Sequence, residues 1–194
     1  MVRVEKVAYF SILYLVAWTL QLCISAEMYD FIVTRLICED SDPTIIANAS
    51  CATRSFNRTT KMHNITINVL PKVSLNDIYF KMSFYQKIST GYRRLILSIE
   101  DHFCGFLNGT SQSFIIRMIW PFLKTCGNLD HKCPFTGYVY LHNVVVKSDY
   151  FPPALPEGQG KFEIHIRNGP KRVSIIKLIL FLEIKPKGAA ILNF

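Results

Sequence analysis

Three stretches of this chain alternate apolar and polar residues with a period of two. In Lys61–Leu70 (KMHNITINVL), Ile65, Ile67 and Val69 point one way while Asn64, Thr66 and Asn68 point the other. Ile78–Tyr85 (IYFKMSFY) sets Ile78, Phe80, Met82 and Phe84 against Tyr79, Lys81, Ser83 and Tyr85. Lys161–Arg167 (KFEIHIR) turns Phe162, Ile164 and Ile166 to a single side. Successive side chains of a strand leave from opposite faces, so each stretch reads as a strand with one wet face and one buried face. Strands of that kind need a second layer against their apolar side, and antiparallel sheets packed face to face supply it.

The rest of the chain fits the same scheme. Tyr29–Cys38, Tyr92–Ile99, Gly137–Lys147 and Val173–Ile184 read as further strands, with Leu95, Leu97 and Ile99 sharing a face of the second. Turns fall at Asp40–Asn48, at Gly91 and at Asn168-Gly169-Pro170, while Pro71 ends the strand before it. Phe151–Gly160 (FPPALPEGQG) carries too much proline and glycine for a central strand and reads as an exposed loop. Ser111–Thr125 is the helical candidate. Ile115, Met118, Ile119 and Phe122 recur at helical spacing, Ser111 or Ser113 is placed to cap the start, and Pro121 shortens or kinks the element. The expected fold is mainly β: a disulfide-stapled β-sandwich or β-cup of seven or eight antiparallel strands with one short helix inserted between strands.

The N-terminus sets the compartment. Arg3 and Lys6 precede an apolar run, Val7–Ile24, and the small residues Ser25 and Ala26 lead to Glu27. That is the layout of a secretory signal peptide, so residues 1–26 are read as a leader and residues 27–194 as a single secreted domain. No later stretch is long and apolar enough to span a bilayer. Of the six cysteines, Cys23 leaves with the leader; Cys38, Cys51, Cys104, Cys126 and Cys133 stay, in a compartment where thiols pair. Spacing does not assign their partners. Four sequons agree with export and are expected to carry glycans: Asn48-Ala49-Ser50, Asn57-Arg58-Thr59, Asn64-Ile65-Thr66 and Asn108-Gly109-Thr110. The formal charge of +8 would suit nucleic acid, but a sugar-coated extracellular protein is not expected to meet it.

Several motifs, in order, carry a resemblance. Gly91-Tyr92-Arg93 stands ahead of His102-Phe103-Cys104-Gly105-Phe106-Leu107, the helical insert follows, and then comes Cys133-Pro134-Phe135-Thr136-Gly137-Tyr138. The loop from Phe151 to Gly158 (FPPALPEG) closes the series. The chain resembles the insect family of secreted proteins of unknown function that includes the CheB-type chemosensory proteins. That family is itself similar to the ganglioside-activator protein of the ML lipid-recognition superfamily. The likeness runs from Tyr29 to about Ile184. It implies a bridge between Cys104 and Cys133, which leaves Cys38 and Cys51 as the second pair. Two departures stand out: Gly160 occupies a place where the family carries an aromatic residue, and Cys126 has no constant counterpart. Cys126 is left to compete for Cys133, to stay free or to bridge two chains.

Catalytic chemistry finds little support. His131-Lys132-Cys133 beside Cys126 has the look of a metal cluster, but exported cysteines oxidise rather than hold zinc, so no metal is expected. Glu100-Asp101-His102 could serve as an acid/base group, yet no nucleophile motif and no phosphate-cradling glycine loop accompany it. No enzyme activity and no cofactor are expected. The expected site is an apolar cavity for a lipid, hydrocarbon or pheromone-like molecule, with chemosensation as the setting that the resemblance implies. Its walls would come from Phe80, Met82, Phe84, Leu95 and Leu97, and its mouth from Ile119, Phe122, Phe151 and Leu155. The alternative is an extracellular protein-interaction module in which the same residues fill a dry core. Arg93-Arg94, Lys171-Arg172 and Lys185/Lys187 are read as solvated surface or as docking points for anionic head groups or an acidic cell-surface receptor.

Overall fold

The computed structural model describes residues 29–57, 60–147 and 155–186. The leader assigned to residues 1–26 lies outside these, as does Phe151. Among the described residues, eight strands and two helices follow one another: β1 (Tyr29–Glu39), β2 (Ile46–Ser55), β3 (Lys61–Val69), β4 (Ile78–Ile88), β5 (Gly91–His102), α1 (Phe103–Leu107), α2 (Phe114–Leu123), β6 (Tyr138–Val144), β7 (Gly158–Asn168) and β8 (Val173–Pro186). The strands form one five-stranded sheet, ordered β1-β8-β7-β4-β5, and one three-stranded sheet, ordered β2-β3-β6. All pairings are antiparallel. This is the mainly β, two-sheet architecture that the alternation required.

The inward faces are those the period of two assigned. Phe80 pairs with Ile166, Met82 with Ile164 and Phe84 with Phe162, so apolar side chains of β4 and β7 meet on one face. In β8 two successive isoleucines, Ile175 and Ile176, are both buried. A shift of register between β7 and β8 allows it: Ile166 pairs with Ile176 but Arg167 with Ser174, which leaves Ile175 as an extra residue. Strand β5 bulges as well, since Ser83 pairs with Ser98 while Tyr85 pairs with Arg94.

Two disulfides hold the layers. Cys38–Cys51 ties β1 to β2, and hence one sheet to the other, with Cα atoms 5.4 Å apart. Cys104–Cys133 ties α1 to the segment ahead of β6, with Cα atoms 5.7 Å apart. Cys126 is unbridged. The bridged cysteines lie 13 and 29 residues apart, which on the chain-entropy model is worth about 3 and 3.5 kcal/mol. Hydrogen bonds add to the junction: the Leu36 N–H donates to Thr53 Oγ1 at 3.0 Å, and Lys61 Nζ donates to the Thr34 carbonyl at 3.2 Å.

The structure corrects the expectation at two places. There are two helices among the described residues rather than one. The first is a single five-residue turn running straight on from β5, too short to leave a periodic signature. Gly105 packs so tightly there that a Cβ would stand 2.6 Å from His102 Nδ1. The second correction is that Gly158, Gln159 and Gly160 belong to β7, paired with Ile184, Glu183 and Leu182, not to an exposed loop. Gly160 is buried because the Phe84 ring lies over it, and a Cβ would come within 2.8 Å of that ring. A glycine in a strand marks close approach here rather than a turn.

Candidate apolar cavity

The space between the sheets is not filled throughout. A cavity of about 310 Å³ lies between the three-stranded sheet and the inner face of the five-stranded one. Strand β3 gives it Ile65, Ile67 and Val69, the apolar side of the alternation, and β4 gives Ile78, Phe80 and Met82. Ile164, Ile166, Ile176, Leu178 and Leu180 from β7 and β8 form the opposite wall. Val139 and Leu141 of β6 complete the three-stranded side. Among the described residues that line it, Tyr140 alone carries a side-chain oxygen or nitrogen.

Helix α2 closes one side with Ile115, Ile116, Ile119, Phe122 and Leu123. Its position is set at the N-terminus. Ser113 is the N-cap, its hydroxyl oxygen accepting the Ile116 N–H at 3.1 Å. The same hydroxyl donates to the Asp101 carboxylate at the end of β5, tying helix to sheet. Trp120 stands edge-on to both Phe103 and Phe106, with ring centroids 5.8 Å away in each case, which seats α2 on α1. Phe135 enters the cavity because Leu75 and Phe135 exchange backbone hydrogen bonds at 3.0 Å, laying the Cys133-Pro134-Phe135 segment beside the start of β4.

Of the residues assigned to the site from sequence, Phe80, Met82, Ile119 and Phe122 meet around this cavity. Phe84, Leu95 and Leu155 do not. They pack in a neighbouring cluster with Phe31, Val33, Phe162, Leu182 and Ile184. Leu97 lies in the bulged part of β5, its side chain outside the described residues, as Phe151 is entirely. The reading missed the contribution of β3, although its alternation pointed to the same interior. It also missed Ile116, which sits beside Ile115 on the helix, and Phe103, Leu129 and Phe135, which enter from turns and short elements that carry no period.

Acidic and basic side chains sit away from the cavity lining. Glu100, Asp101 and His102, adjacent in sequence, each serve a different partner. Glu100 pairs with Arg172 at 3.2 Å, Asp101 takes the Ser113 hydroxyl, and His102 Nε2 lies 2.8 Å from Asp77 Oδ1 with its ring stacked on Tyr79. Glu163 lies 2.5 Å from Lys161; burial opposes its ionisation, but the Lys161 hydrogen bond and charge hold the carboxyl below its usual range. His63 is buried, with Nδ1 3.1 Å from Thr53 Oγ1, and burial together with the Lys61 charge lowers its pKa. Among the described residues no group of three or more His, Cys, Asp or Glu is placed to hold a metal ion. None of their helices is long and apolar enough to cross a membrane.

A protein-family model, described as "Protein of unknown function (DUF1091)", matches residues 80–162, from within β4 to within β7. Among solved structures, the crystal structure of chicken MD-1 complexed with lipid IVa is similar to this chain over 82% of its length and 97% of the MD-1 chain, at 13% sequence identity and a TM-score of 0.37. No curated protein matches the sequence.

Proposed function

We propose that the chain is an exported glycoprotein that encloses an apolar ligand without reacting with it. The observation that carries this reading is the cavity itself: about 310 Å³, walled by aliphatic and aromatic side chains from both sheets and α2. Cores pack to crystal density and natural voids larger than a water are few, so an apolar void of this size supports a ligand site over a dry core. With water taking about 30 Å³, there is room on the order of ten such groups, the scale of one hydrocarbon chain rather than several. Binding would come from burial, at about 0.8 kcal/mol for each methylene taken out of water.

Export is supported by the leader-like segment, the two disulfides and the four sequons. The resemblance to the insect CheB-type family supports contact chemosensation as the setting, with a receptor at the cell surface as the recipient. The decisive measurement is mass spectrometry of organic extracts from the protein purified out of a secreting host, followed by displacement of a fluorescent fatty acid by fatty acids, alcohols and alkanes of graded length. Co-purified lipid and saturable displacement are expected. An empty extract with no binding across the panel would remove the reading and leave a protein-interaction module in its place.

A further inference from the structure

Strand β6 carries a second feature, an aromatic ladder that reaches solvent and of which Tyr140 also borders the cavity. Tyr138, Tyr140 and His142 alternate with cavity-lining Val139 and Leu141. The rings form a ladder, with centroids 5.6 Å apart for Tyr138 and Tyr140 and 4.8 Å for Tyr140 and His142. Tyr138 is 53% exposed and His142 is exposed, so this ladder meets solvent. It is held firmly. The free edge of β6 is covered by Cys126–Asn128, where Asn128 Nδ2 donates to the Tyr138 carbonyl at 2.7 Å and the Tyr140 N–H donates to Asn128 Oδ1 at 2.9 Å.

The neighbouring strand brings a sequon to the same face. Thr66 pairs with Tyr140 and Asn68 with Tyr138. Between His63 and Ile65 the register shifts, so Asn64 stands opposite both His142 and Asn143. Asn64 Oδ1 accepts the Asn143 N–H at 2.8 Å, which fixes the orientation of its amide. That leaves Nδ2, the atom that carries an N-linked sugar, without a hydrogen bond among the described residues.

We propose that a glycan on Asn64 lies back along β6, with its first sugar ring against Tyr140 and His142. A pyranose offers one apolar face of C–H groups, which suits the negative face of an aromatic ring. The surrounding side chains of Asn64, Thr66, Asn68 and Ser50 are uncharged and offer hydrogen bonds to sugar hydroxyls. The glycan is then a structural part of the three-stranded sheet, shielding an aromatic stripe that would otherwise stay wet. The proposal rests on the export reading, because N-glycans are added only on the secretory route.

The test begins with glycopeptide mapping of the secreted full chain. Occupancy at Asn64 is expected; Asn64 bare in the secreted chain, with or without sugars at other sequons, would overturn the proposal alone, whereas failure of the full chain to reach the medium would overturn export as well. In an Asn48→Gln/Asn57→Gln/Asn108→Gln chain, the Asn64 glycan is next trimmed to one sugar or removed enzymatically. Removing that last sugar should lower Tm by about 2–4 °C, the shift of a favourable ring contact in a domain this size. In a Tyr140→Ser/His142→Ser background the same removal should shift Tm by less than about 1 °C. Equal shifts in the two backgrounds would overturn the docking of sugar on the ladder.

Discussion

The interior has a filled end and a hollow end, which share strands β4, β7 and β8 and draw on nearly the same residue types. At the filled end, Phe162 lies 4.9 Å from Phe84 and 6.5 Å from Phe31 between ring centroids, and Val33, Leu182 and Ile184 close around them. Gly160 removes a side chain where the Phe84 ring needs room. At the hollow end, β4, β7 and β8 face β3 and β6 across a gap that α2 closes from the side, and mostly aliphatic side chains line the space without filling it. Phe162 takes part in both. Hydrophobicity therefore does not decide which end is solid. Ring size against a glycine fills one end; at the other, the aliphatic side chains of the two sheets and of α2 leave the gap between them open.

The widest separation between the ends should appear on truncation. Phe84→Ala at the filled end is expected to cost about 3–5 kcal/mol, since it opens a new cavity in a packed cluster. Ile119→Ala at the hollow end removes atoms that already face a void and should cost about 1 kcal/mol or less. Urea denaturation of the two variants measures both. Equal costs would mean that the hollow end is packed as tightly as the other. The bridge comes next: Cys38→Ser/Cys51→Ser should lose about 3 kcal/mol in the same assay, because the cross-link constrains the unfolded chain. Gly160→Ala follows, at about 1–3 kcal/mol. Its Cβ would meet the Phe84 ring at 2.8 Å and the Tyr85 carbonyl oxygen at 3.0 Å, and the backbone oxygen has little freedom to withdraw.

The two ends also differ in how far they were legible from sequence. Two-sheet architecture, the inward faces of β3, β4 and β7 and the helix within Ser111–Thr125 follow from periodicity, which is local; the choice of Ser113 over Ser111 as its cap does not. The choice between wall and filler is not local. Phe80, Met82 and Phe84 share one face of one strand and look alike in sequence, yet Phe84 belongs to the filled end because Gly160 lies beneath it, 76 positions along the chain. Leu95 was drawn to the cavity by its alternation with Leu97 and Ile99, but the bulge in β5 shifts the pairing between Ser98 and Arg94. In the sequence Phe135 stands out only as part of the Cys133-Pro134-Phe135 motif. Its burial comes from the backbone pair with Leu75, which joins segments far apart in sequence. The disulfide partners came from the resemblance, not from spacing.

A gain of stability is the sharper way to mark the hollow end. Met82→Phe adds volume beside Ile164, into space that is already there, and is expected to raise stability by about 0.5–2 kcal/mol while weakening the fluorescent fatty acid's binding at least tenfold. A loss of stability with binding intact would mean that the space is not available to the protein's own side chains and that the probe sits elsewhere.

The smallest effect belongs to the seam between the ends. His63 pairs with Val144, which lines the cavity, and its pKa is also influenced by a hydrogen bond with the backbone of Val33, a residue of the filled cluster. Burial, then the Lys61 charge, lower its pKa from the ordinary 6.5, and that backbone bond only partly opposes them. The unfolded chain therefore binds a proton at a pH where the folded chain does not, so stability is full above about pH 6.5 and falls as pH drops below it. His165 shifts in the same direction, burial first and Arg167 second, and adds to the slope. Glu163 acts lower, where its carboxyl would take up a proton on unfolding. His63→Asn keeps a polar atom near the Thr53 hydroxyl and cannot titrate. Setting aside a constant offset, the urea midpoint should fall less between pH 7.5 and 5.5 in this variant than in the parent chain, with the residue of the slope left to His165. An unchanged slope would show that His63 is already free to charge in the folded protein, and that the two ends are joined by something other than this dry polar contact.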